Sequence, residues 1–137
     1  MAVLGTGIDI VEVARLEEAI ARHAHRFLDR VFTEAERAYC GTRPRPGIHY
    51  AGRFAAKEAV LKAIRTGWVE GIGWKDIEVE LGPAGEPSVR LMGGALAQAQ
   101  AVGIEAIHIS ISHTESYAVA SAVAEGERKP QPVIRDP

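Results

Sequence analysis

"RFAAKEAVLKA", Arg53 to Ala63, is the stretch on which the reading of this chain turns. Ala55, Ala56, Ala59 and Ala63, with Leu61 and Ile64 beside them, describe a helix packed closely over much of its girth. It nonetheless carries Arg53, Lys57, Glu58 and Lys62. A surface helix keeps its charges on one side and its apolar residues on the other. Here Phe54, Glu58 and Lys62 fall on one line at four-residue spacing, and Arg53 and Lys57 fall on a second line about 100° round the axis. A Glu58–Lys62 pair across one turn is one account of the charges, worth about 0.2–0.5 kcal/mol. A bound metal ion or phosphate is the other, because a charge on a closely packed helix needs a partner.

Upstream, "VLGTGIDIV" (Val3 to Val11) reads as a strand, and "EVARLEEAIARHAHRF" as one helix with Val13, Leu16, Ile20, Ala24 and Phe27 on its apolar face. "FTEAE" opens a short helix, with Thr33 and Glu36 spaced as a capping box. "GTRPRPG" (Gly41 to Gly47) is a loop, and the decisive helix runs from about His49 to Arg65, stopped at Gly67. Downstream, "DIEVEL" alternates, with Ile77, Val79 and Leu81 on one face. "GPAGEP" is a turn to a partner strand "SVRLM". "GALAQAQAVG" is a small helix ending at Gly103. "IHISISH" alternates isoleucines with His108, Ser110 and Ser112, and "YAVASAVA" is its hairpin partner. The sum is an α+β fold, with helices on a small, mainly antiparallel sheet.

The chain has 137 residues, 47% hydrophobic and 25% charged, with a net charge of -2. That fits one domain, taken as residues 1–124, and a polar, proline-bearing tail at 125–137 expected to be mobile. The charge balance gives no overall pull toward nucleic acid or a membrane surface. A single cysteine, Cys40, excludes an intrachain disulfide and a cysteine-rich metal site. "MAVLGTGIDI" has no basic leader, and no apolar run is long enough to span a bilayer. The expectation is a cytoplasmic protein without nucleic-acid or membrane partners.

Three further features could carry chemistry. Asp9 interrupts the first strand between Ile8 and Ile10, where aspartate is disfavoured. It either caps the following helix or joins Glu58 in holding a divalent ion, since Mg²⁺ takes one or two carboxylates together with water and substrate phosphate oxygens. His108 and His113 lie on or beside a polar strand face, at no familiar zinc spacing. Arg15, Arg22 and Arg26 follow steps of seven and four on the first helix, which makes them either a solvated face or a docking strip for an acidic partner.

Together these segments resemble the holo-acyl-carrier-protein synthase type of 4'-phosphopantetheinyl transferase. "GTGIDIVEVARL" (Gly5 to Leu16), "RVFTEAE" (Arg30 to Glu36), "AGRFAAKEAVLKAI" (Ala51 to Ile64), "IEVELGPAGEPSVRL" (Ile77 to Leu91) and "HISISHTESYAVA" (His108 to Ala120) occur in that family's order and cover nearly the whole chain. The resemblance implies transfer of the phosphopantetheine arm of coenzyme A to a serine of apo acyl carrier protein. It implies Asp9 and Glu58 as ligands of Mg²⁺, with Mn²⁺ as a substitute, and Lys62 as a third catalytic group. It further implies coenzyme A contacts from Arg53, Lys57, Lys62, Gly85, Pro87 and His113, and carrier docking through Arg15, Arg22, Arg26 and Phe27. A homotrimer with active sites at subunit interfaces is expected on the same ground. "RTGWVEGIGW" departs from the family's usual "GTG" there, without touching Asp9, Glu58 or Lys62.

Overall fold

Alanine on two facing surfaces sets the architecture. The structure, a computed structural model, describes residues 1–64 and 71–129. In chain order the elements are β1 (Ala2–Glu12), α1 (Val13–His23), α2 (His25–Val31), α3 (Glu34–Gly41), α4 (Pro46–Ala63), β2 (Ile77–Leu81), β3 (Pro87–Leu91), α5 (Gly93–Val102), β4 (Ile104–His113) and β5 (Tyr117–Gly126), with a 3-10 turn at Trp74–Asp76. A three-stranded antiparallel sheet has the order β1-β5-β4, and β2 pairs with β3 in a separate hairpin. Every second residue of β5 from Ala118 to Ala124 is a buried alanine. Ala120, Ala122 and Ala124 share one cluster with Ala55, Ala56, Ala59 and Ala63 of α4, so helix and sheet approach with little between them.

Gly7 extends that approach to β1. A Cβ at Gly7 would collide with the Ala59 carbonyl oxygen, so only glycine lets the strand cross the helix there. Along β1 the alternation then turns Gly7, Asp9 and Val11 toward α4 and leaves Ile8 and Ile10 on the outer face, 64% and 63% exposed. The β4 alternation is as expected: Ile107, Ile109 and Ile111 pack on the core while His108, Ser110 and Ser112 are exposed. A second cluster of Val13, Leu16, Val31, Phe32, Cys40, Tyr50, Ala51 and Ala118 fills the space among α1 to α4. Cys40 lies within it, and burial pushes its thiol up to about 11.

Three expectations are corrected. The helix read as continuous through Phe27 breaks at Ala24, the one non-glycine residue with positive φ (46°) among the described residues. The break turns α2 so that Phe27, Leu28 and Val31 pack on the second cluster, and their burial offsets a local backbone cost of about 1–3 kcal/mol. The decisive helix starts earlier, at Pro46, whose fixed φ suits the first helical turn. The division at residue 124 cuts through β5, which continues to Gly126 and is followed by a bond from Glu127 N to Gly103 O at 3.1 Å. The expected helix end at Arg65 and Gly67, the first part of "RTGWVEGIGW", and the tail from residue 130 lie outside the described residues.

Gly7→Ala should destabilise the protein by roughly 1–3 kcal/mol, the usual range for overpacking. Urea unfolding at constant m-value measures it. A variant as stable as the parent would show that β1 and α4 are not in backbone contact.

Candidate active site

Because β1 crosses α4 at Gly7 and Ala59, Asp9 arrives beside the helix turn that carries Glu58 and Lys62. Both carboxylates line a cavity of about 510 Å³, with Glu12, Arg15, Leu16, Phe27 and Phe54 among the other walls. The Lys62 ammonium donates to the Ile8 carbonyl at 2.8 Å and to Asp9 Oδ1 at 3.3 Å. Asp9 does not cap α1. The N-cap position is Glu12, and no side chain makes a cap hydrogen bond there.

The donor set suits a small hard cation. Asp9 and Glu58 offer carboxylate oxygens only, on one open cavity with room for water and phosphate oxygens, which is the coordination Mg²⁺ prefers. Among the described residues no three His, Cys, Asp or Glu side chains gather into a ready metal cage. The protein would therefore supply part of a coordination shell.

Arg53 faces elsewhere. It lines a second cavity, of about 470 Å³, between α3 (Ala35, Tyr39) and the β2–β3 hairpin (Glu78 to Pro83, and Gly85). Arg53 is 5% exposed, its guanidinium lies 4.3 Å from the Tyr39 ring centre, and its Nε has no hydrogen-bond partner. Arg43 covers the same ring at 4.0 Å. A buried guanidinium held by an aromatic ring, with a donor to spare, suits an anionic ligand. Gly85 adopts φ +82° in the hairpin turn, and Pro87 opens β3 opposite Leu81. His113 is exposed at the end of β4, and its ring lies 6.2 Å from that of His49, which meets Tyr39 edge-on at 5.9 Å. Burial, then the charges of Arg53, His113 and Arg43, hold His49 below the usual imidazole range.

Lys57 is removed from the expected phosphate-binding set. Its side chain is fully buried, its ammonium lies 2.8 Å from Glu36 Oε1, and it donates to the carbonyls of Trp74 (3.1 Å) and Ile77. Those three acceptors use its three donors. Burial lowers its pKa and the Glu36 charge opposes the shift. Sequence spacing marked Glu36 as the far half of a capping box, and that box is present. Spacing carried no sign that the same carboxylate would be buried against Lys57. Tyr39 and His49 were also missed; the Tyr39–Arg43 spacing of four is the only local hint.

The arginine strip is interrupted. Arg15 and Arg22 are exposed on α1, and Arg26 is exposed on α2, beyond the break at Ala24. Arg15 and Phe27 both line the carboxylate cavity. Phe27 stacks on Phe54 at 6.5 Å.

A family model described as the 4'-phosphopantetheinyl transferase superfamily matches residues 5–122. The chain is 49% identical over 123 residues to a protein of Koribacter versatilis named holo-[acyl-carrier-protein] synthase, covering 90% of this chain and 98% of that one. Among solved structures it is similar to the holo-[acyl-carrier-protein] synthase of Neisseria meningitidis, with TM-score 0.82, 30% identity, and coverage of 90% and 99% of the two chains. It is also similar to that of Helicobacter pylori in complex with coenzyme A, with TM-score 0.77, 31% identity, and coverage of 88% and 99%.

The His49 imidazole should titrate with a midpoint below 6.5, as followed by NMR, and His113→Ala should raise it. The folded protein then binds fewer protons here than the unfolded chain. His49 therefore leaves stability untouched above pH 6.5 and lowers it as the pH falls through that value. A midpoint above 6.5 would contradict the burial and cationic surroundings described.

Proposed function

The chain belongs to the 4'-phosphopantetheinyl transferase superfamily, and we propose that Asp9, Glu58 and Lys62 form the centre at which it acts. It transfers the 4'-phosphopantetheine arm of coenzyme A to a serine of apo acyl carrier protein, giving holo carrier protein and adenosine 3',5'-bisphosphate. The serine oxygen bonds to the phosphorus that bears the pantetheine arm. The bond from that phosphorus to the bridging oxygen breaks, and the serine proton is released. In such a reaction the protein chiefly positions groups and stabilises charge.

The observation that carries the site assignment is the shared cavity of Asp9 and Glu58. These two carboxylates would hold Mg²⁺, for which Mn²⁺ could substitute. Bound there, the ion would supply charge neutralisation to the pyrophosphate oxygens. Lys62, 52% exposed at its side chain and tethered to Asp9, orients that carboxylate and lends positive charge to the leaving bisphosphate. Arg53, with His113 at the end of its row of rings, takes the nucleotide phosphates, while Gly85 and Pro87 shape the hairpin over the nucleotide.

Acyl carrier protein docks on α1 and α2. Arg15, Arg22 and Arg26 meet acidic side chains of the carrier, and Phe27 adds apolar contact at the mouth of the carboxylate cavity. Arg15 carries most weight, because it is the arginine that lines the cavity. The working unit in this reading is a homotrimer with active sites between subunits. The two cavities share no lining residue, so one chain keeps its carboxylates apart from its Arg53 cleft. The outer sheet face, with Ile8 and Ile10 exposed beside His108, Ser110 and Ser112, is a mixed apolar and polar surface on which a second copy can pack. No helix of the described residues is long and apolar enough to cross a membrane. We place the protein in the cytoplasm, serving fatty acid synthesis.

Intact-mass spectrometry tests the reaction. Apo acyl carrier protein incubated with the protein, coenzyme A and Mg²⁺ should gain one phosphopantetheine, and chelator should prevent the gain. Glu58→Gln removes a charge and little volume, and should leave a folded protein with no detectable transfer. An active variant would end the metal-ligand assignment. Charge reversal of Arg15 and Arg22 to glutamate should raise KM for the carrier roughly tenfold or more while leaving KM for coenzyme A within about twofold. Equal loss for both substrates would count against docking on α1.

A further inference from the structure

We propose that Glu36, acting through Lys57, is a positioning residue for nucleotide binding, holding the three walls of the Arg53 cavity in register from behind. This rests on the reading that the Arg53 cavity receives the nucleotide end of coenzyme A.

Each wall of that cavity carries one end of a single buried polar cluster. The α3 wall presents Ala35 and Tyr39 to the cavity, and Glu36 lies between them in sequence. The α4 wall presents Arg53, and Lys57 follows one turn later on the same helix. The hairpin wall presents Glu78 to Leu81, and β2 supplies the Ile77 carbonyl and the Val79 amide. Glu36 is 1% exposed. Its Oε1 accepts from the Thr33 amide at 2.9 Å and lies 2.8 Å from the Lys57 ammonium, while its Oε2 accepts from the Val79 amide at 2.8 Å. Lys57 in turn donates to the Ile77 and Trp74 carbonyls.

This cluster matters because, among the described residues, the hairpin's other attachments to the core, through Ile77, Val79, Val89 and Leu91, are apolar. Strands β2 and β3 pair with each other and not with the main sheet. Burial of Ile77 and Val79 draws the hairpin toward the core, but apolar contact is not directional. Hydrogen bonds to the Val79 amide and the Ile77 carbonyl fix both the height of β2 along α4 and the face it turns to Arg53. The cluster touches no ligand itself. Its effect is the width and shape of the cleft.

Glu36→Gln tests this. The glutamine NH2 cannot accept, so it must face either the Val79 amide or the Thr33 amide and Lys57 ammonium, donor against donor. The expected result is a folded variant whose KM for coenzyme A and Kd for adenosine 3',5'-bisphosphate by calorimetry both rise roughly tenfold, with kcat within about threefold of the parent. A purely structural role would lower kcat with the folded fraction and leave KM and Kd unchanged, and that result overturns the proposal. If Glu36→Gln does not fold, the double variant E36Q/K57M, which removes the charge together with its counter-charge, takes the same assays. A folded double variant with parental KM and Kd overturns the proposal equally. Failure of the parent protein to bind adenosine 3',5'-bisphosphate would instead bring down the nucleotide reading of the cavity, and this inference with it.

Discussion

Everything at the site depends on how closely α4 can lie against the sheet. Alanines on both surfaces and Gly7 on β1 remove the side chains that would otherwise hold helix and strands apart. Close packing of this kind has little tolerance for added volume. It also brings Asp9, two residues beyond Gly7, beside Lys62 and onto the cavity that Glu58 lines. A strand packed at the distance that leucine or isoleucine side chains require would leave those groups facing solvent on separate elements.

The four charges of "RFAAKEAVLKA" then find three different solutions on one helix. Glu58 looks into the open carboxylate cavity, and Lys62, half exposed, is tied to Asp9, which lines the same cavity. Arg53 is buried but remains charged beside an aromatic ring, keeping a donor in reserve. Lys57 is sealed in the core with every donor used. The helical wheel placed Arg53 and Lys57 on one line, so sequence could not separate them. What separates them is the hairpin, which passes over Lys57 and leaves Arg53 at the cleft.

That contrast explains what the sequence could and could not convey. The strands at "DIEVEL" and "IHISISH" were legible because burial on one face writes a period of two, and "FTEAE" because capping chemistry is local. Asp9 was legible as an anomaly, since it breaks a strand's apolar pattern, but its two accounts differed only in a tertiary contact. The break at Ala24 left no trace: alanine is the best helix former, and its positive φ follows from the packing of Phe27 and Val31. Continuity across it was assumed, and with it the single face for Arg22 and Arg26. The residues left the pairing of Asp9 with Glu58 open beside the capping account, and the family resemblance, which no spacing rule could replace, favoured it.

The Glu36–Lys57 pair is a poor choice if stability alone is at stake. Removing two charges from water costs several kcal/mol per ion, and apolar residues of the same volume would often serve the core as well. A pair that persists in such a place, with each carboxylate oxygen on a backbone amide and two of the three ammonium donors on backbone carbonyls, is better explained by direction than by strength. Apolar contacts let a two-stranded hairpin slide along a helix rich in alanine, where there are few knobs to arrest it. Hydrogen bonds to named amides and carbonyls do not. The same absence of side chains that allows α4 to approach the sheet therefore creates the need for a polar lock on its other side.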